Sequence, residues 1–184
     1  MTKIYLVRHG RAEAGFGEQM DPGLDALGRE QAQAVAVKLA GLGPLPILSS
    51  PLKRAQQTAA PLAALWSCTP AIEDAVAEIP SPKGMSLEER VAWLRRLMGG
   101  SWRGVPRDLA AWREHCIATV AGLTRDTVIF SHYVAINVIA GAATGDDSVV
   151  TFSPDNCSVT VFETEDGKLT LVEKGSEASL TKVN

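Results

Sequence analysis

The feature that most constrains the fold of this chain is an apolar segment near its start that ends abruptly in polar side chains. Residues 4–7, Ile-Tyr-Leu-Val, have the composition of a buried β-strand, and Arg-His-Gly follows at residues 8–10. The same pattern recurs at residues 46–50, Pro-Ile-Leu-Ser-Ser, and at residues 127–132, Thr-Val-Ile-Phe-Ser-His. Polar groups at the carboxyl ends of strands are typical of parallel α/β sheets, which bind their ligands there.

Helical patterns lie between these segments. Asp25 is placed to cap a helix that the Gly-Pro pair at residues 43–44 ends. Ser50 and the proline after it form a favourable N-cap and first-turn pair for a second helix. Pro61 is expected to kink or end that second helix. The alternation of strands and helices predicts an α/β fold, built as a three-layer sandwich around a mostly parallel sheet.

Residues 79–122 lack strand patterning and are interpreted as a helical insertion over the carboxyl ends of the strands. Ser86 and Glu89 form a capping box ahead of apolar positions at helical spacing. The segment carries seven basic and four acidic side chains, whereas the whole chain has a net charge of −3. A basic cap would attract an anionic substrate, but a solvated basic surface explains the charge equally well.

Composition limits the class of protein. A chain of 184 residues suits one domain, 1–184, that includes the insertion. The net charge argues against nucleic-acid binding, and no apolar segment approaches the roughly 18 residues of a membrane span. Three widely spaced cysteines without a CxxC motif, and an N-terminus without signal-peptide features, predict a cytoplasmic protein. No motif such as HExxH offers metal ligands, so neither a metal nor a cofactor is expected.

Two histidines and two arginines near the predicted strand ends indicate a phosphate site. They are Arg8, His9, Arg54 and His132. Guanidinium groups present donors that match phosphate oxygens, and a helix N-terminus adds free N–H groups. Imidazole can attack phosphorus and form a covalent intermediate, and its far nitrogen then needs an acceptor such as a backbone carbonyl.

Four ordered segments carry a resemblance to a known family. They are IYLVRHG at the start, LDALGREQA at 24–32, SSPLKRAQQTA at 49–59 and VIFSH at 128–132. Together they resemble the histidine phosphatase superfamily, also called the phosphoglycerate mutase-like family. The resemblance implies a mixed, mostly parallel sheet flanked by helices, and a phosphohistidine mechanism without metal.

The resemblance also implies a role for each matching residue. His9 matches the nucleophile, His132 matches the second histidine, and Arg8 and Arg54 match the phosphate ligands. The acid of the family usually follows the third strand and precedes the insertion. Glu78 is the best match for it, and Asp74 is its nearest rival.

The sequence departs from the mutase pattern after residues 8–10. Mutases tend to carry a serine and then an asparagine there, whereas residues 11–15 of this chain are Arg-Ala-Glu-Ala-Gly. Tyr133 stands where the family often has glycine, so it is expected to narrow the pocket or to lend it a hydroxyl group. We therefore expect a phosphatase that acts on a small phosphorylated substrate, with no prediction of its oligomeric state. A protein phosphohistidine phosphatase, a phosphoglycerate mutase-type transferase and a silent phospho-ligand binding module remain open alternatives.

Overall fold

In the computed structural model, which describes residues 1–15 and 17–179, the strands form one mixed sheet. Their order is β3-β2-β4-β1-β5-β6, in which β1 to β4 pair in parallel and β5 and β6 pair antiparallel. The strands are β1 (Thr2–Arg8), β2 (Ile47–Ser49), β3 (Ala71–Ile72), β4 (Thr127–Ser131), β5 (Val159–Glu165) and β6 (Lys168–Glu173). The expectation of a mixed, mostly parallel sheet is confirmed.

Five α-helices accompany the sheet within the described residues. They are α1 (Ala26–Leu39), α2 (Lys53–Leu65), α3 (Leu87–Met98), α4 (Arg107–Ala121) and α5 (Tyr133–Thr144). Short 3-10 turns follow α1 at Ala40–Leu42 and β3 at Asp74–Val76. No described helix has the length and apolarity that crossing a membrane requires.

The alternation of side chains along the strands builds two apolar layers. Ile4, Leu6 and Ile129 belong to a cluster shared with α4 and α5. Val7 and Phe130 point to the other face and join residues of α1 and α2. The sheet is therefore covered on both faces, as a three-layer sandwich requires.

Two of the expected helix starts are found. The Oδ1 atom of Asp25 accepts a hydrogen bond from the backbone N–H of Gly28 at 2.7 Å. Ser86 and Glu89 form the complete capping box at the start of α3.

The predicted start of α2 was wrong, and Pro61 does not end the helix. Leu52, not Ser50, is the N-cap residue, because Asp21 accepts the first free backbone N–H of the helix, that of Lys53, at 2.9 Å. Pro61 lies inside the helix, which continues to Leu65. A proline removes a single backbone hydrogen bond there, and the buried side chains on either side of it hold the helix against the sheet.

The register of the parallel strands aligns their polar ends. Arg8 lies opposite Ser131 in the β1–β4 pair, and Ser49 lies opposite Phe130 in the β2–β4 pair. The residues that come next on the three strands, His9, Ser50 and His132, therefore meet at one edge of the sheet.

A backbone contact between two glycines sets the path of the chain as it leaves this edge. A Cβ atom on Gly10 would lie 2.5 Å from the carbonyl oxygen of Gly28, and a Cβ atom on Gly28 would overlap the carbonyl oxygen of Arg11. The loop that follows β1 can therefore pack against the first turn of α1 only if both positions lack a side chain.

We expect Gly28→Ala to lower the free energy of unfolding by about 1–3 kcal/mol, because its Cβ atom would overlap the backbone of Arg11 and the loop or the helix would have to shift. Urea denaturation measures the change. Gly41→Ala is the matched control, since its Cβ would meet nothing within 4 Å and it should be neutral or slightly stabilising. Equal stability of both variants would contradict the proposed contact.

Candidate active site

His9 lies buried at the carboxyl end of β1 with both ring nitrogens engaged. Its Nδ1 atom is 2.7 Å from the carbonyl oxygen of Gly10, and its Nε2 atom lies 3.2 Å from Nε of Arg54. A carbonyl can only accept, so the ring proton is on Nδ1 and the lone pair on Nε2 faces Arg54. The carbonyl of Gly10 is thus the backbone acceptor expected for the ring nitrogen that does not attack.

Burial and positive charge keep His9 neutral. Loss of solvent, followed by the charges of Arg54 and Arg8, holds the pKa of His9 well below its ordinary value. Backbone contacts fix the residue on both sides. The backbone N–H of His9 donates to the carbonyl of Ser131 at 3.0 Å. The backbone carbonyl of His9 accepts a hydrogen bond from Nδ2 of Asn156 at 3.0 Å.

Arg8 presents a buried guanidinium group beside the imidazole. Its Nη1 atom donates to the carbonyl oxygen of Pro154 at 2.9 Å, and its guanidinium carbon lies 5.1 Å from the centre of the Tyr133 ring. The hydroxyl of Tyr133 faces Ser153 at 3.0 Å. Nε of Arg8 is buried and has no hydrogen-bond partner within the described part of the chain. Such a donor can serve an anion bound beside His9.

Arg54 extends from the first turn of α2 and is almost fully buried. Besides its bond to His9, its Nη1 atom lies 3.9 Å from Oδ1 of Asp21. Thr58, one turn further along α2, accepts a hydrogen bond from the backbone N–H of Gly10 at 3.0 Å. The start of α2 is therefore fastened to the loop that follows His9.

His132 lies beside His9, with 5.2 Å between the ring centres. Its Nε2 atom is 2.7 Å from Oγ of Ser50, which itself accepts the N–H of Leu52 at 3.2 Å. The serine hydroxyl can then donate to Nε2, which leaves the ring proton on Nδ1. That atom is buried without a partner among the described residues, and burial together with Arg54 lowers the pKa of His132 well below its ordinary value.

Glu78 lies at the first turn of α5. Its Oε1 atom accepts the N–H of Ile79 at 3.0 Å and that of Val134 at 3.2 Å. Burial raises the pKa of Glu78, and these N–H groups and the charge of Arg54 oppose that rise. Asp74, the rival acid, is exposed in the 3-10 turn before it.

A cavity of about 320 Å³ is lined by two of these residues, Arg54 and Glu78. Its charged wall residues are Arg54, Glu78 and Arg90. The other wall residues are Ala12, Ala14, Gln19, Met20, Pro22, Leu52, Ile79, Pro80 and Ser81. The structure thus brings the five predicted site residues to one place, with Arg8, His9 and His132 buried at the strand ends and Arg54 and Glu78 on the cavity wall.

Sequence reasoning missed several contributors to the site. Asp21 lies in a glycine-rich loop without a local motif, and Pro154 contributes only its backbone oxygen, so no side-chain pattern marks either. Ser50 was expected to cap a helix rather than to contact His132. Arg90 was counted only as part of a basic segment.

The arrangement could hold a tetrahedral anion. Arg8, Arg54 and His132 present donors, and Nε2 of His9 presents a lone pair beside them. Among the residues that the structure describes, no group of three or more histidine, cysteine or carboxylate side chains is placed to hold a metal ion.

A family model described as "Histidine phosphatase superfamily (branch 1)" matches residues 4–176 of this chain. The PE-PGRS family protein PE_PGRS11 of Mycobacterium tuberculosis is 45% identical over 82 residues, which are 41% of this chain and 14% of that protein. The probable phosphoglycerate mutase GpmB of an Enterobacter species is 28% identical over 163 residues, 79% of this chain and 76% of that protein. Glucosyl-3-phosphoglycerate phosphatase of Mycolicibacterium vanbaalenii is 45% identical over 66 residues, 34% of this chain and 29% of that protein. The chain therefore spans under a third of two of these relatives and about three quarters of the other.

Solved structures share the fold along nearly the whole chain. Phosphoserine phosphatase from Entamoeba histolytica, solved with 3-phosphoglyceric acid, has a TM-score of 0.76 at 24% identity and covers 96% of this chain and 98% of its own. Mycobacterial glucosyl-3-phosphoglycerate phosphatase with VO3 has a TM-score of 0.73 at 22% identity and covers 96% of this chain and 100% of its own. YhfR of Bacillus stearothermophilus has a TM-score of 0.78 at 18% identity and covers 97% of this chain and 98% of its own.

We expect Tyr133→Leu to weaken binding of inorganic phosphate by about 3- to 10-fold, because the aromatic face that holds the Arg8 guanidinium is lost. Isothermal titration calorimetry measures the affinity. Tyr133→Phe keeps the ring and should bind phosphate as the unchanged protein does. An equal loss in both variants would assign the effect to the hydroxyl group that faces Ser153 and not to the ring.

Proposed function

This chain belongs to the histidine phosphatase superfamily, and from that membership and its site we propose that it is a metal-independent phosphatase of small phosphate monoesters. The observation that carries the proposal is the neutral His9, whose Nε2 lone pair is held among buried cationic and N–H donors. Relatives named as phosphatases support the same reaction class.

In the first step, Nε2 of His9 attacks phosphorus in line with the ester oxygen. The N–P bond forms as the P–O bond breaks, and Glu78 gives its proton to the leaving alkoxide. Arg8, Arg54 and Nδ1–H of His132 stabilise the charge on the transferring phosphoryl oxygens. The negative charge of the substrate adds to burial in keeping Glu78 protonated.

In the second step, the Glu78 carboxylate takes a proton from water as that water attacks the phosphohistidine. The P–N bond breaks, its electron pair returns to Nε2, and inorganic phosphate leaves. His9 returns to its neutral form with the proton still on Nδ1, where the Gly10 carbonyl holds it.

The alternatives receive less support. One relative is named a probable phosphoglycerate mutase, yet residues 11–15 lack the serine and asparagine expected for that activity. Residues of the loop after β1 and of helix α3 line the cavity. This enclosure favours a small ester as the substrate over a phosphohistidine on the surface of a protein. A silent binding module would not need His9 to be held as a neutral nucleophile.

A cytoplasmic location stays part of the proposal.

We expect His9→Ala to abolish turnover of 4-nitrophenyl phosphate, because the nucleophile is lost. When the unchanged protein reacts with a phosphate-labelled substrate and is quenched rapidly without acid, the label should be found on His9. The adduct should be labile in acid and stable in base, as a phosphoramidate is. Turnover without any phosphate on His9 would exclude the mechanism.

Activity should survive exhaustive chelation with EDTA, because each proposed step uses protein groups alone. The measurement is the rate of 4-nitrophenyl phosphate hydrolysis before and after metal removal. Loss of the rate, with recovery on adding a divalent cation, would place the protein in another phosphatase class.

The Glu78→Gln variant tests proton donation to the leaving group separately from nucleophilic attack by His9. We expect a loss of about 100- to 10,000-fold in kcat/KM on an alkyl phosphate, whose leaving group needs a proton, and a much smaller loss on 4-nitrophenyl phosphate. In the unchanged protein, kcat/KM on the alkyl ester should fall as the pH rises through the raised pKa of Glu78, because the acid must be protonated. The variant should lack that fall.

The matched control is Asp74→Asn, which alters the exposed rival and should leave both rates near their original values. Near-original rates for Glu78→Gln on both esters would remove Glu78 from the mechanism. If dephosphorylation limits the rate, Glu78→Gln should slow both esters equally and the phosphoenzyme should accumulate.

A further inference from the structure

Ser50 is a buried residue of the site to which the proposed reaction assigns no part. It follows β2 at the carboxyl edge of the sheet and is fully buried. Its backbone N–H donates to the carbonyl of Phe130 at 3.0 Å, which ties its main chain to β4. Its Oγ atom lies 2.7 Å from Nε2 of His132. The hydroxyl therefore meets the second histidine from a backbone that the sheet holds in place.

The direction of the hydrogen bond between Ser50 and His132 follows from the other partner of the hydroxyl. Oγ of Ser50 already accepts the backbone N–H of Leu52 at 3.2 Å, and it has one proton to donate. If the ring donated to Oγ instead, the serine proton would be buried without an acceptor among the described residues, which costs free energy. The hydroxyl therefore donates to Nε2 of His132.

The two histidines of the site then carry their protons on the same ring atom and leave different nitrogens for a ligand. Burial and the charge of Arg54 lower the pKa of His132, so its ring carries one proton. His9 donates from Nδ1 to the carbonyl of Gly10 and keeps a lone pair on Nε2. His132 accepts from Ser50 at Nε2 and keeps an N–H on Nδ1, which has no partner within the described residues. One ring is set as a nucleophile and the other as a donor.

The proton position on His132 decides whether that ring attracts or repels an anion. With the proton on Nδ1 the unpartnered nitrogen is a donor, and with the proton on Nε2 it would be a lone pair. A buried donor without a partner is uncommon, and an oxygen of a bound phosphate would complete it. The neutral ring has no charge that could compensate for a proton on the wrong nitrogen.

We propose that Ser50 is a positioning residue that holds the proton of His132 on Nδ1, so that this ring donates to the phosphoryl group. The inference rests on the proposed phosphatase function and deepens it, because it names what prepares one of the donors before substrate arrives. Ser50 itself exchanges no proton with the substrate. A donor fixed in advance needs no reorganisation when charge develops on the transferring oxygens.

Nitrogen NMR of the imidazole rings reads the proton position directly. The chain contains three histidines, so protein labelled at histidine gives few signals, and the exposed His115 on α4 serves as an internal reference. In the unchanged protein, His132 should show a protonated Nδ1 and an unprotonated Nε2. Ser50→Ala should move the proton to Nε2 in part or in full, because free histidine favours that tautomer and nothing then opposes it. A proton on Nε2 in the unchanged protein, or an unmoved proton in Ser50→Ala, would overturn the inference.

Ser49→Ala is the matched control. It removes a neighbouring buried hydroxyl, which donates to the backbone carbonyl of Ser50 at 2.9 Å and not to the ring. This variant should keep the proton of His132 on Nδ1. Ser50→Cys should restore part of that population, because a thiol is a weaker donor than a hydroxyl.

Phosphate binding and turnover test whether Ser50 acts through His132. Ser50→Ala should weaken binding of inorganic phosphate by about 5- to 50-fold in calorimetry, whose stoichiometry corrects for unfolded protein. It should lower kcat/KM on 4-nitrophenyl phosphate by about 10- to 100-fold. In a His132→Ala background the same substitution should change either value by less than about 2-fold. Equal losses in both backgrounds would give Ser50 an effect that is independent of the ring and would overturn the inference.

The proton position and the phosphate affinity do not depend on turnover, so the two proposals fail separately. If the unchanged protein hydrolysed no ester while Ser50 still controlled both quantities, the proposed function would be contradicted and the role of Ser50 in anion binding would stand. Hydrolysis of 4-nitrophenyl phosphate with an unmoved proton in Ser50→Ala would keep the function and reject the role of Ser50.

Discussion

The parallel pairing of β1 with β4 is the constraint on which the rest of the structure depends. Its register sets Arg8 beside Ser131, so the next residue on each strand is a histidine. A shift of one residue would turn every apolar side chain of a strand to the opposite face, which both helical layers forbid. The core therefore fixes the 5.2 Å spacing of the two imidazoles, and Arg8 on β1 and Arg54 on α2 place their donors beside them.

The electrostatics of the site follow from this placement. Two buried arginines lie next to imidazoles that have lost their solvent, so the pKa values of His9 and His132 fall. Glu78 lies at the edge of the same site, where burial moves its pKa upward. The pKa values of His9 and Glu78 thus shift in opposite directions, which favours the unprotonated imidazole and the protonated carboxyl group that the proposed nucleophile and proton donor need.

Local signals predicted much of this structure, and distant contacts explain what they missed. The capping box at Ser86 and the Asp25 cap depend on neighbours a few residues away, so the sequence alone locates them. The start of α2 depends on Asp21, which is 32 residues from Lys53 along the chain and marked by no motif. Strand ends and family motifs indicated His9 and His132, but composition could not tell which of seven basic side chains in the insertion is buried in the site.

The strand ends and the cavity wall belong to different parts of the fold. Groups proposed for the chemistry follow strands whose register the core enforces, whereas Arg90 belongs to a helix that contacts the loop after β1. A Cβ atom on Gly17 would lie 2.5 Å from Cγ2 of Val91, so the loop and the helix pack closely against each other. Two solved structures named for different phosphate esters share this fold although they are only 24% and 22% identical to this chain, so the fold persists while the side chains around it change.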